Sequence, residues 1–411
     1  MRTREDSQRV RAAMGPGFRS RNQPGDGIVK RSALTLAASC VFAATSAGAT
    51  SLFEVESLVT DDQDALAEAG FEPAAFVDPN LINPWGMSFS PTGPFWVSNQ
   101  GSGTSTLYDG DGLPQSLIVG IPQVGSVAGP TGQVFNSTTS FQLSTGGTGV
   151  FFFANLDGSI SGWNSGTTAE VVVPSASPLR PAIYTGLALG SSGGADFLFA
   201  ANNETGRIDV FDSSYAAVAI PGGFTDPGPN PDNLVPFNIQ NLNGLLYVTY
   251  ATGGPDADEA PLGRGFVSVF NPDGSFVGRI ADGGQLSSPW GVAIAPDDFG
   301  KFGGALLIGN FSEAFGYINA FDPDTGEFLG SLLDETGDTL TIPYLWALLF
   351  GNGGTGGDIE DLYFTAGIGD ELHGLFGEIS GTVPLPAGLP LLGGALFGLM
   401  GFGRRRATTV G

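Results

Sequence analysis

Amide side chains recur at one position of a repeated segment. An apolar run of five residues occurs six times, and four copies end in asparagine. An asparagine side chain offers a donor and an acceptor, as a polar or sugar ligand requires. Asparagine also suits the left-handed conformations of tight turns, so a purely structural role stays open. The candidate ligand-binding residues are these asparagines, the tyrosine of a fifth copy and one further asparagine that precedes the repeat: Asn83, Asn99, Asn155, Asn202, Tyr250 and Asn310.

An acidic loop follows the fourth copy of this run. Asp256, Asp258 and Glu259 lie close together in it. Carboxylate oxygens are the ligands that Ca²⁺ prefers, so the three form a candidate calcium site. Their spacing is not that of an EF-hand loop, and a solvated acidic loop is the alternative.

Composition excludes several classes of function. The 411 residues include one His (His373) and one Cys (Cys40), which excludes a disulfide framework and a Cys/His zinc site. The formal net charge of −25 repels polyanions, so no nucleic-acid partner is expected. A hydrophobic content of 41% is too high for a disordered chain. No catalytic residue is assigned.

A repeat of about 50 residues predicts the fold. Asn83-Pro-Trp-Gly matches Ser288-Pro-Trp-Gly, and each copy continues with an apolar strand and an aromatic residue before a turn. Short strands between Gly, Asn and Asp turns are typical of propeller blades. We predict an all-β fold, a six-bladed β-propeller over residues 50–382. The turn aromatics of its six blades are Tyr108, Trp163, Phe211, Phe270, Phe321 and Phe376.

The last predicted blade lacks an outer strand. We expect Leu52–Val59 to pair with it and close the ring, which removes an exposed edge. Predicted outer strands elsewhere are Ser116–Val119, Glu170–Val173 and Ser275–Arg279. If each blade runs from an inner strand at the channel to an outer strand, we expect the candidate ligand-binding residues to lie on one face, around the mouth of the central channel.

The N-terminal region, residues 1–49, has the pattern of a secretory signal. Lys30-Arg31 precede an uncharged, partly apolar stretch, and Ala47-Gly48-Ala49 supplies small residues for cleavage after Ala49. Signal peptidase is therefore an expected partner, and we expect the chain to be exported.

The C-terminal region, residues 383–411, combines a proline motif, an apolar span and a basic cluster. Val383 to Gly403 is free of charge and long enough for one membrane-crossing apolar helix. The basic cluster holds the C-terminus in the cytoplasm. A plain tail anchor is one interpretation. The residues that define the motif and the cluster are Val383, Pro384, Leu385, Pro386 and Ala387, then Arg404, Arg405 and Arg406.

This order of parts resembles the PEP-CTERM sorting signal in its VPLPA variant. The resemblance implies an exosortase substrate of a Gram-negative bacterium, anchored in the inner membrane before processing. It further implies cleavage near the proline motif and release to the cell surface or its polysaccharide matrix.

The body resembles a family of secreted bacterial propellers. The resemblance rests on the segment from Asp78 to Tyr108, and strands such as Arg207 to Phe211 are similar to NHL repeats. We expect a non-enzymatic binding protein of the surface or matrix, with polysaccharide or another surface protein as partner. The alternative is a Ca²⁺-dependent, lactonase-like hydrolase that uses the channel mouth.

Overall fold

The predicted six-bladed β-propeller is confirmed. A computed structural model describes residues 51–122, 129–175, 182–254 and 257–382. It contains six antiparallel sheets, five with four strands and one with five. Several sites predicted above lie outside the described residues, namely Asp256 and the processing residues Ala49, Val383, Pro384, Leu385, Pro386, Ala387, Arg404, Arg405 and Arg406.

Each of the first five blades is one run of four consecutive strands, from the channel outward. Blade 1 contains β3 (Pro84–Ser88), β4 (Phe95–Asn99), β5 (Thr104–Tyr108) and β6 (Val119–Gly120). Blade 2 contains β7 (Pro130–Phe135), β8 (Phe151–Asn155), β9 (Ile160–Trp163) and β10 (Glu170–Val173). Blade 3 contains β11 (Tyr184–Ser192), β12 (Ala195–Asn202), β13 (Arg207–Asp212) and β14 (Ala217–Val218).

Blade 4 contains β15 (Val235–Leu242), β16 (Leu245–Ala251), β17 (Phe266–Phe270) and β18 (Phe276–Asp282). Blade 5 contains β19 (Pro289–Ile294), β20 (Leu306–Asn310), β21 (Ile318–Phe321) and β22 (Phe328–Ser331). Blade 6 contains β23 (Leu345–Phe350), β24 (Leu362–Ala366) and β25 (Leu375–Thr382), followed by β1 (Leu52–Thr60) and β2 (Phe76–Val77). One short helix, α1 (Gln63–Glu68), joins β1 to β2, and Asp62 caps its first turn.

The N-terminal strand closes the ring as predicted. β1 pairs antiparallel with β25 from Leu52↔Thr382 to Thr60↔Leu375. Phe53 is 1% exposed, and its ring centroid lies 4.9 Å from that of Phe299 in blade 5. The closing strand therefore contributes both ladder hydrogen bonds and core packing.

Every inner strand contains a β-bulge at the same place. The ladder between the first and second strands is interrupted once in each blade, for example between Pro84 and Met87 and between Pro289 and Val292. A bulge turns a side chain away from the regular alternation of the strand. The residues within the six interruptions include four aromatics and two threonines: Trp85, Thr131, Thr185, Phe237, Trp290 and Trp346.

The glycine after the bulge lets neighbouring inner strands approach closely. A Cβ on Gly186 would lie 2.7 Å from Asn238 Cα and 2.8 Å from Ile239 N of the next blade. A Cβ on Gly291 would lie 2.9 Å from Leu348 N. These separations are too short for a side chain, which explains why Gly follows Trp in the repeated motif.

The outer strands differ in part from the prediction. Glu170–Val173 is confirmed, and the strand predicted at Ser275–Arg279 extends from Phe276 to Asp282. The prediction of a strand at Ser116–Val119 was wrong, because the outer strand of blade 1 contains only Val119 and Gly120. Before it, the chain forms a local bridge between Pro114 and Tyr108. Proline lacks the N–H that a continuous ladder requires.

Candidate ligand-binding site at the channel mouth

Aromatic side chains close the central channel at one end. We call this end the mouth; it is where the second strand of each blade finishes. The rings of Trp85 and Trp346 stack with centroids 3.5 Å apart, and Phe311 stacks on Trp346 at 3.8 Å. Trp290 Nε1 donates to Thr185 O, at 3.1 Å, from blade 5 to blade 3. We call the whole group the aromatic plug; its members are Trp85, Phe237, Trp290, Phe311 and Trp346.

The asparagines at the ends of the second strands are buried and bonded to their own turns. Asn99 Nδ2 donates to Thr104 Oγ1 and Thr106 Oγ1 at 3.1 and 2.9 Å. Asn202 Nδ2 donates to Asp209 Oδ2 at 2.8 Å. Asn155 and Asn310 likewise donate within their own blades, and all four are no more than 1% exposed. These contacts assign them a role in positioning turns; ligand binding by them stays a prediction.

Tyr250 takes the same position in blade 4. Its ring stacks on Phe266 with centroids 4.2 Å apart and is 8% exposed. Burial raises the pKa of its hydroxyl well above the ordinary value. Its ring thus packs within blade 4, and a role in binding stays a prediction.

Asn83 differs from the other candidates because its amide connects the plug to the surface. Asn83 Oδ1 accepts from Trp346 Nε1 at 3.0 Å. Its Nδ2 donates to Gln100 Oε1 at 3.0 Å and to Glu371 Oε1 at 3.1 Å. Both ends of the amide are therefore fixed, and a carboxylate lies at the end of the network.

The backbone around this network adopts unusual conformations. Asn83 has a φ of 44°, and Tyr344 has a φ of 55° directly before β23. Asp370 and Glu371 are consecutive non-glycine residues with φ values of 56° and 63°. Such conformations cost about 1–3 kcal/mol each and cluster at functional sites. Here they hold Asp370 Oδ1 2.9 Å from the Tyr344 hydroxyl, which donates to it.

Glu371 is a half-buried carboxyl group that forms no ion pair with a basic residue of the described chain. Burial raises the pKa of Glu371 above its ordinary value; the hydrogen bond from Asn83 opposes this shift, and the charge of Asp258 adds to it. The ion pairs among the described residues involve Arg207, Arg264, Arg279 and His373, and none reaches Glu371. Glu371 can therefore accept a hydrogen bond from a ligand, or accept a proton.

The acidic loop of blade 4 covers part of the mouth. Ala257 is buried among the aromatic plug, and its carbonyl accepts from Ser288 Oγ at 2.6 Å. Asp258 is half-buried near Glu371, whereas Glu259 is exposed. Among residues 51–122, 129–175, 182–254 and 257–382, no group of three His, Cys, Asp or Glu side chains could hold a metal ion. The calcium site of Asp256, Asp258 and Glu259 stays a prediction, since Asp256 lies outside these ranges.

The single histidine supports the turn that carries Glu371. His373 Nδ1 lies 2.9 Å from Asp61 Oδ2, and the other oxygen of Asp61 accepts from Gly374 N at 2.8 Å. The sequence predicted no role for Asp370, Glu371, Gln100 or Tyr344. Because the network joins four distant segments, no local pattern indicated it.

The fold and this network define a six-bladed propeller with an aromatic-plugged channel and an acidic mouth. No family model matches the chain. Two uncharacterised proteins of Acanthamoeba polyphaga mimivirus are similar to it. One is 32% identical over 322 residues, covering 74% of this chain and 76% of the viral protein. The other is 31% identical over 323 residues, covering 74% and 82%. The chain belongs to the family of these proteins.

Solved structures similar to the chain have low sequence identity to it. A streptogramin B lyase structure is 12% identical, with a TM-score of 0.46, covering 82% of this chain and 99% of the lyase. A protein of unknown function from Bacteroides thetaiotaomicron is 11% identical, with a TM-score of 0.48, covering 81% and 76%. Similarity at this level extends to neither a site nor an activity.

Among helices of the described residues, none is both long and apolar enough to cross a bilayer. The apolar span predicted within residues 383–403 lies outside the part of the chain that the structure describes.

Proposed function

We propose that this protein is an exported, non-enzymatic β-propeller that binds neutral, hydroxyl-rich glycan at the channel mouth. The observation that carries the proposal is the Glu371 carboxylate, half-buried and held by Asn83 without a basic partner among the described residues. Sugar hydroxyls supply the donors that such an acceptor lacks.

Charge favours a neutral ligand over an acidic one. Asp258, Asp370 and Glu371 all lie at the mouth, and the whole chain carries −25. Repulsion in a site of this sign disfavours uronic acids and phosphates. Around the carboxylates, Gln100 and Tyr344 add polar groups of the kind that bind sugars.

Calorimetric titration of the protein with neutral oligosaccharides tests this proposal. Glu371→Gln keeps the shape of the side chain and removes its charge. We expect affinity to fall by about tenfold to a hundredfold, because a hydrogen bond to a charged acceptor contributes about 1.5–3 kcal/mol. Glu335→Gln, at an exposed position of another blade, is the matched control and should bind normally. Equal affinity in the two variants would reject Glu371 as the acceptor.

A separate turnover assay distinguishes binding from hydrolysis. Burial raises the pKa of Glu371, as in many general bases, and this favours a hydrolase as the second candidate function. A panel of lactones and esters, with Ca²⁺ or with a chelator, measures turnover. Turnover that disappears in Glu371→Gln would replace the binding function with catalysis.

We also propose that residues 383–406 direct processing and release to the cell surface or matrix. The motif beginning at Val383 supports this proposal, and β25 ends directly before it, at Thr382. The expected partners are signal peptidase, an exosortase-type enzyme and, after release, surface polysaccharide.

A further inference from the structure

A cavity of about 200 Å³ lies in the central channel beyond the aromatic plug. All six inner strands contribute to its wall, and Trp290 of the plug forms part of it. Its lining is mostly apolar, with side chains such as Met87, Phe135 and Leu348. None of its lining residues in the described chain is charged.

One polar residue in this wall departs from the pattern of the repeat. In each blade, one inner-strand residue pairs with the middle residue of the five-residue apolar run in the second strand, and five of these six inner-strand residues are apolar. The six residues are Met87, Gln133, Leu187, Ile239, Val292 and Leu348. Blade 2 therefore carries a glutamine where its siblings carry a core side chain.

The amide of Gln133 is fixed and its oxygen is unsatisfied. Nε2 donates to Gly86 O at 2.9 Å and also to Trp96 O. These two carbonyls require the nitrogen on their side, so the orientation of the amide is determined. Gln133 is 6% exposed, and within the described chain its Oε1 accepts no hydrogen bond. Ser88 Oγ, in the same wall, is also buried without a partner there.

A buried amide oxygen without a donor is unfavourable, and so is a buried hydroxyl without a partner. One alcohol group would satisfy both, by donating to Gln133 Oε1 and accepting from the Ser88 hydroxyl. We propose that the channel cavity is a second binding site, for a small neutral alcohol held by Gln133 Oε1 and Ser88 Oγ with its apolar part against the strand side chains. The volume is that of about seven water molecules at roughly 30 Å³ each, which suits a ligand of similar size. An oligosaccharide does not fit, so this site is distinct from the one proposed at the mouth.

Two small probes of equal size distinguish a donor requirement from simple filling. Cyclohexanol carries a hydroxyl donor, whereas cyclohexanone carries only an acceptor. Met87 lines the cavity and is the only methionine between residues 51 and 382, so its ¹³C-labelled methyl group reports local binding by NMR. We expect a saturable shift of the Met87 methyl resonance, with cyclohexanol binding about fivefold or more tightly than cyclohexanone.

Two variants assign the contacts. Ser88→Ala removes a hydroxyl that bonds to nothing in the described chain, so the fold should be retained while cyclohexanol binds more weakly. Gln133→Met removes the amide oxygen, so this variant should bind cyclohexanol and cyclohexanone with equal affinity. Gln133 also bonds to blade 1, so the melting temperature of the Gln133→Met variant is measured as well. If the Gln133→Met variant unfolds, the Ser88→Ala variant still tests the proposal. An unshifted Met87 methyl, or equal affinity for the two probes, would overturn the proposal and leave a cavity holding water only. A neutral oligosaccharide that binds at the mouth should leave the Met87 resonance in place.

Discussion

Glu378 lies directly opposite Glu56 across the ladder that closes the ring. On its other side, Glu378 pairs with Tyr363 of β24, and the charge of Asp361 also acts on it. Like charges opposite one another weaken a strand pair. The three carboxyl groups line a cavity of about 870 Å³, whose other acidic lining residues in the described chain are Asp109, Asp111, Asp358 and Glu360. The seam that completes the propeller is therefore strongly acidic.

Stability should fall as pH rises from about 4.5 to about 7. Burial, and next the charge of Asp361, raise the pKa of Glu378 to about 7 from its ordinary value of 4.5. Between these values the folded protein keeps a proton that the unfolded chain loses, so rising pH favours unfolding. Because the side chain is half exposed, solvent screening leaves an effect of about 1–2 kcal/mol.

Urea unfolding of Glu378→Gln measures this effect. We expect the variant to be about 1 kcal/mol more stable than the parent at pH 8 and nearly equal to it at pH 5. Glu335→Gln, in an exposed turn of blade 5, should follow the parent at both pH values. A variant that keeps the full dependence on pH would show that other groups cause it.

The closing strand should be essential to the ring. Deletion of residues 50–60 exposes the edge of β25 along its whole ladder, and we expect aggregation instead of a smaller folded protein. Phe53→Ala should cost about 3–5 kcal/mol, since the ring is buried against Phe299 and Phe302. Size-exclusion chromatography detects aggregation of the deletion variant, and thermal unfolding measures the stability of Phe53→Ala. Glu54→Ala, one residue away and exposed, should change little, and an unaltered melting temperature in the deletion would contradict the role of β1.

Gly186, in the inner strand of blade 3, should not tolerate a side chain. Gly186→Ala places a Cβ 2.7 Å from Asn238 Cα, and we expect a loss of about 1–3 kcal/mol from overpacking. Gly278 lies in outer strand β18, where an added Cβ meets nothing within 4 Å, so Gly278→Ala is the control and should be neutral. Thermal unfolding compares the two. Similar melting temperatures would mean that neighbouring inner strands can separate at little cost.

Processing should depend on the C-terminal motif in two separable ways. Changing Arg404, Arg405 and Arg406 to Ala removes the cytoplasmic positive charge and should impair orientation of the tail. Changing Pro384 and Pro386 to Ala should leave orientation intact and block cleavage. Cell fractionation with intact-mass measurement follows both. An intact C-terminal span that stays in the membrane at steady state in the parent would favour a plain tail anchor.

The sequence predicted the architecture because the repeat marks it directly. Each blade contains one turn aromatic, and the Trp-Gly segments mark the start of blades 1 and 5. The single strand before the first Trp-Gly segment could pair only with the last blade, which lacked an outer strand. Inner strands β7 and β15 carry Thr131 and Phe237 where the motif has tryptophan, so the Pro-Trp-Gly motif does not mark them.

The site was less accessible to sequence reasoning. The repeated asparagines predicted a site at the ends of the second strands. Four of them instead donate hydrogen bonds to hydroxyls, a carbonyl or a carboxylate of nearby turns and strands. The distinctive network instead joins Asn83, Trp346 and Glu371, which lie up to 288 residues apart. Contacts at such separation depend on how the blades meet around the axis, which no single motif encodes.

The pairing of Leu52 with Thr382 has a consequence for orientation at a surface. Both residues lie at the end of the ladder opposite Thr60 and Leu375, and the register places Leu375 beside Ala366 at the mouth. The first and last strands of the body thus begin and finish together on the underside of the ring. A membrane tether attached after Thr382 would therefore hold the underside toward the membrane and turn Glu371 outward, so that the mouth would face the surroundings while the protein stays attached.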